Sequence, residues 1–345
     1  MRIMKPLAIS IPAACAALGL ILASALCEPT PTAQSTRPAA PPAASLPASR
    51  PRPEIWMGPP SYDNGRCFRE LFEHPDQWAA TRERVDVISY TDLNFTRQFK
   101  DDDELRRWLA MLADWKIKLA LEVGAIKPWS PTGVRTFEIE KPMWDRLRRL
   151  GGRIHAVAMD EPLLCCRKHI HKDDQHALRE TVQYVLAVRH YDPAILVGDI
   201  ETYPSIPLAD HCRWIESLNA RLAEHKVRPL DFYRLDVNWA EFVAFNRGSW
   251  REVRQLELHC RQRKLPFSLI YWASLFPALR RKGLGDDAAW YVGVMQQGYG
   301  YALVDGRPDQ VMIESWVPGP SRCLPDTAEF TFTRSVLDLA KRLGR

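Results

Sequence analysis

The chain lacks a second apolar run long enough to cross a membrane once its opening segment is passed, which excludes a protein threaded repeatedly through a bilayer. It also lacks an excess of either charge where it is expected to fold. The whole sequence carries 47 Lys and Arg against 42 Asp and Glu, but five of those bases (Arg2, Lys5, Arg37, Arg50, Arg52) and one acid (Glu28) precede Glu54, leaving 42 against 41. A body so nearly neutral argues against a nucleic-acid partner, which would need a concentrated basic face, and none is expected. No glycine-rich phosphate loop and no Gly-x-Ser-x-Gly elbow occur, so neither P-loop nor elbow-serine chemistry is indicated. No cofactor is expected.

What is present begins with an export signal. Arg2 and Lys5 give a basic start, Leu7 to Leu22 an apolar run, and Ala23-Ser24-Ala25 a small-residue cleavage site, so residues 1–25 read as a signal peptide. Pro12 and the many alanines make that run a weak spanning helix. Cys27 could carry a lipid after cleavage, but Leu26 just before it disfavours a lipoprotein. Residues 26–53 are mostly Pro, Ala, Ser and Thr, a composition that cannot offset its ordering entropy and reads as a disordered, semi-extended linker. The expected location is the periplasm or the exterior.

Residues 54–345 have the size of one (β/α)₈ barrel. Eight short apolar runs alternate with helical stretches: Ile55–Pro59, Val85–Tyr90, Lys118–Val123, Ile154–Met159, Ile195–Asp199, Asp231–Leu235, Phe267–Tyr271 and Gln310–Glu314. Several are continuously apolar, as befits parallel strands buried on both faces. Leu105, Trp108, Leu109 and Leu112 form one helical stripe behind the acids Asp101–Glu104; Leu178, Val182 and Val185 form another, and Val336, Leu339, Ala340 and Leu343 the last. Trp108, Trp115 and Trp144 are expected to pack. In a closed barrel the first and last strands are neighbours, which predicts a Cys67–Cys323 disulfide; Cys166, or its neighbour Cys165, is expected to pair with Cys212. Cys260 is expected to stay a buried thiol. Adjacent Cys165-Cys166 does not have zinc-site spacing.

The ends of the runs carry acids and aromatics: Met159-Asp160-Glu161-Pro162, Asp199 and Glu201, Asp236 and Trp239, Tyr271-Trp272, and Glu314 with Trp316. Tyr90 closes the second run and Trp129 follows the third. In this fold such positions face the catalytic mouth. Asp160-Glu161-Pro162 after the fourth strand resembles the Asn-Glu-Pro signature of barrel glycoside hydrolases of the large retaining clan. The resemblance implies that Glu161 is the general acid/base and that Asp160 holds a sugar hydroxyl. It stops short of the clan's nucleophile, a Glu ending strand seven, where this chain has Tyr271-Trp272. Asp236, Glu314 and Glu201 remain as partners for Glu161, in that order. A covalent nucleophile needs about 5 Å between the carboxyls and a water-activating base about 6.5–9.5 Å. Asp199, Tyr90, Trp239, Tyr271, Trp272 and Trp316 are the expected substrate contacts, with Trp239 and Trp316 the leading stacking platforms.

The expectation is an exported, monomeric glycoside hydrolase-like enzyme acting on an oligo- or polysaccharide, without a metal. Two alternatives stay open: a metal-dependent, isomerase-type sugar barrel, although no strand end supplies a histidine, and a carbohydrate-binding barrel without chemistry. His169-Ile170-His171 with Asp173, Asp174 and His176 reads as a solvated helix start.

Overall fold

A computed structural model describes residues 52–345. The expected signal peptide and the linker up to residue 51 lie outside the described residues. The strands are β1 (Glu54–Gly58), β2 (Val87–Thr91), β3 (Lys118–Val123), β4 (Ile154–Asp160), β5 (Leu196–Tyr203), β6 (Phe232–Val237), β7 (Phe267–Tyr271) and β8 (Gln310–Glu314). Each pairs in parallel with its sequence neighbours and β8 returns to β1, closing a single barrel. All eight expected strands are present, with β5 and β6 running further than expected. Among the described residues no helix is long and apolar enough to cross a membrane.

Both strand faces are buried, so two cores exist. Trp56, Ala120, Ala158, Ile200, Phe232, Ile270 and Met312 pack against one another from different strands and fill the barrel interior. Their strand neighbours, such as Met57, Leu121, Met159, Leu235 and Ile313, belong to the larger cluster under the helices. Successive strand side chains alternate between these faces. Leu105, Trp108, Leu109 and Leu112 are buried as the helical stripe predicts, and Asp101 caps that helix by accepting the Asp103 and Glu104 N–H groups.

The interior tolerates its large rings because small residues face them. A Cβ on Gly198 would lie 2.0 Å from the Phe232 ring. Gly198→Ala should therefore destabilise the protein by about 1–3 kcal/mol through overpacking; an unchanged denaturant midpoint would show that the interior has slack.

The seam between the first and last units is tied covalently by Cys67–Cys323, as expected. The second expected bridge does not form: Cys165, Cys166, Cys212 and Cys260 are all thiols. The Cys166 thiol faces the Asp173 carbonyl at 3.6 Å. The charged neighbours of Cys212, on the helix Leu208–Glu224, are Glu216, Arg263 and Arg213, whereas those of Cys166 are Asp173 and Asp174, so the two thiols have different surroundings. Cys260 is buried, as expected.

Candidate active site

Strand parity decides which side chains reach the mouth. Counting on from the interior residues Ala120, Ala158, Phe232, Ile270 and Met312, the inward positions at the C-terminal ends are Glu122, Asp160, Asp236, Trp272 and Glu314. Glu122 and Asp160 line a cleft of about 270 Å³ together with Thr91, Arg97, Lys127 and Trp129. Glu122 is shared with a smaller cleft bordered by Gly58, Ser89, Glu314 and Trp316.

This crowd of carboxyls is arranged to lose charge. Burial, with Asp160 adding repulsion, pushes Glu122 up to about 8 against the opposing pull of Lys127 and Arg234. Burial and then Glu122 hold Glu314 well above the usual carboxylate range, and its Oε1 has no hydrogen-bond partner. Burial raises Asp236 to about 7, while the Trp272 indole N–H, donating to Oδ1 at 2.7 Å, favours its ionised form. Asp160 is ion-paired with Lys127, whose ammonium also donates to the Asp160 carbonyl at 2.7 Å. Beneath them lies Arg234, fully buried, donating through Nε to Ser268 Oγ at 2.8 Å and stacked 4.3 Å over the Trp56 ring.

Glu161 follows β4 and sits in the left-handed region, φ +53° and ψ +47°, before the short helix Pro162–Cys165. A non-glycine residue there costs of order 1 kcal/mol or more, and such strain collects at functional sites. Its N–H donates to the Ile200 carbonyl at 3.0 Å. Burial, then Asp160 and Asp236, push its carboxyl up to about 8.

Trp272 and Trp316 have ring centroids 4.8 Å apart, and Trp316 is 44% exposed. Their faces supply an aromatic wall beside Asp236.

Other expected site residues lie elsewhere. Glu201 and Asp199 have the parity of Val197 and face the helices, not the mouth. Glu201 is fully buried and accepts the Leu163 and Leu164 N–H groups at 2.5 and 3.2 Å. Asp199 accepts the Trp214 indole N–H at 2.7 Å. Tyr271 is outward and buried, and Trp239 is buried, with its indole nitrogen unpartnered, so neither offers a face to a substrate. Tyr90 borders the smaller cleft, but its ring packs among Phe68, Phe95 and Phe99. Of the expected set, Asp160, Glu161, Asp236, Glu314, Trp272 and Trp316 are gathered at the mouth. Glu122, Lys127 and Arg234 were not anticipated; Glu122 stands inside an apolar run, and only its parity with Ala120 would have marked it. His176 and Asp173 belong to a helix start, with Asp173 as its cap. Among the described residues no three His, Cys, Asp or Glu side chains form a group able to hold a metal ion.

Fold and site thus define a (β/α)₈ barrel with an acid-lined, aromatic-walled mouth. No family model and no curated protein matches the chain. Solved structures similar to it include a thermostable mutant of a xylanase (Xyn10A) from Cellvibrio japonicus, at 11% identity and TM-score 0.46, covering 84% of this chain and 97% of that one. The GH39 enzyme from Xanthomonas axonopodis pv. citri matches at 11% identity and TM-score 0.48, covering 85% and 66% respectively. The YdjI aldolase from Escherichia coli K12 matches about as well, at 12% identity and TM-score 0.44, covering 84% and 88%. Glycoside hydrolases and aldolases stand side by side in this company, and at these values none of them bears on function.

Proposed function

We propose that the protein is an enzyme that cleaves glycosidic bonds by carboxyl acid/base chemistry at the barrel mouth. Glu161 is the proton donor and Asp236 the ionised partner. The observation that carries this reading is a pair of carboxyls at the mouth with different partners: Asp236 accepts the Trp272 indole N–H at 2.7 Å, which favours its ionised form, whereas Glu161 is pushed up to about 8 by burial and then by Asp160 and Asp236, which favours its protonated form. A carboxyl that keeps its proton beside one that can ionise is what glycosidic acid/base chemistry requires. Asp160, fixed by Lys127, is placed to hold a substrate hydroxyl, and the Trp272–Trp316 wall suits the apolar face of a sugar ring.

The pH dependence follows with a definite sign. Asp236 must be ionised, so kcat/KM falls as pH drops through about 7; Glu161 must be protonated, so it falls again as pH rises through about 8. A narrow bell centred between these values is expected when new reducing ends are followed on a polysaccharide panel. Asp236→Asn should remove most of the rate and the acidic limb of what remains. An optimum near pH 4–5, or an Asp236→Asn profile identical to that of the parent, would overturn the assignment. Binding across the panel without turnover would favour the non-catalytic barrel.

A further inference from the structure

The larger cleft contains two side chains that nothing in the fold employs. Arg97 ends the short helix Asp92–Arg97, is exposed, and has no ion-pair or hydrogen-bond partner among the described residues. Trp129, on the loop after β3, is 53% exposed and stacks on no other ring among the described residues. Both line the same cleft, whose floor is Glu122, Asp160 and Lys127. The remaining polar lining is already occupied: Gln98 donates to the Ser61 carbonyl at 3.1 Å and accepts from Asn94, and Lys127 is committed to Asp160. We infer that this cleft is a subsite for a sugar unit bearing a carboxylate, a uronic acid, with Trp129 stacking on the ring and the Arg97 guanidinium pairing with the carboxylate.

The exposed charge of the cleft agrees with an anionic occupant. Asp160 and Lys127 cancel, burial pushes Glu122 up to about 8, and Glu140, the remaining acid of the lining, is buried and accepts the Gly124 N–H and the Tyr184 hydroxyl, which leaves Arg97 as the exposed cation of the cleft. A guanidinium presents two parallel N–H groups that match a planar carboxylate, which a neutral hydroxymethyl group cannot reproduce. The inference rests on the hydrolase reading for its choice of a glycan, but it concerns binding and is tested by binding.

The full chain is titrated, with intrinsic tryptophan fluorescence and calorimetry as readouts. The probes are oligogalacturonate, alginate oligosaccharides and heparosan oligosaccharides, each alongside its carboxyl-reduced counterpart, plus a sulfated neutral oligosaccharide. At least one uronate should bind about tenfold or more tighter than its reduced form, with the preference shrinking at high salt. Arg97→Gln should erase the preference while leaving the affinity for the reduced form, and Trp129→Ala should weaken both. Failure of every uronate to bind, equal affinity for the reduced forms, or a preference that survives Arg97→Gln overturns the inference. So does a sulfated probe that outcompetes all the carboxylates. Uronate binding that persists in a protein without any glycosidase turnover leaves this subsite standing and removes the proposed reaction; neutral glycans cleaved with no uronate preference do the reverse.

Discussion

Glu161→Gln is expected to fold like the parent and to lose about 10²–10⁴ in kcat/KM on the cleaved glycan, the range associated with a positioned acid/base group. The variant is close to a blank for everything except proton donation. With its carboxyl pushed up to about 8, the parent side chain is neutral at working pH, so glutamine replaces it without removing a charge. The left-handed backbone at this position is equally available to both residues, and the N–H donated to the Ile200 carbonyl is retained. Thermal melts should therefore coincide within a degree or so while rates separate. Full turnover in the folded variant removes Glu161 from the chemistry and with it the proposed mechanism.

The second large effect concerns stability. Opening Cys67–Cys323, by reductant or by Cys67→Ser with Cys323→Ser, should cost about 3–5 kcal/mol, because the bridge closes a loop with a sequence separation of 256. For a domain of this size that corresponds to a fall in Tm on the order of 10 °C. The bridge does not act alone: Asp326 accepts the Thr81 N–H at 3.0 Å and its hydroxyl at 3.1 Å, and donates its own N–H to the Gln77 carbonyl at 2.8 Å, across the same seam. Those bonds should keep the reduced protein folded at room temperature. Calorimetry with and without reductant reads the difference; coincident melts would mean that the noncovalent seam alone holds the barrel closed.

The barrel was legible because its strands are short apolar runs at regular intervals, and because β7 and β8 begin and end where their hydrophobic runs do. Phase was harder. A strand buried on both faces has no hydrophobic alternation to say which residues point inward, so Asp199 and Glu201 were read toward the mouth although Gly198 and Ile200 hold the inward positions. The same ambiguity concealed Glu122, the last residue but one of Lys118–Val123, inside the apolar run instead of closing it. Trp239 was misjudged for another reason: it lies beyond its strand, where the loop folds it back into the core. Cys67 and Cys323 could be paired because barrel closure makes their loops neighbours, whereas pairing Cys166 with Cys212 required knowing which flank of a helix each thiol occupies.

Glu201 carries a consequence of its own. Its carboxyl, standing behind the wall, grips the two amides that begin the turn just after Glu161. The proposed donor is thus aimed from the rear, by a group that no ligand can touch. Rebuilding the outer layer around β5 would re-aim the chemistry without altering a single residue that lines the cleft.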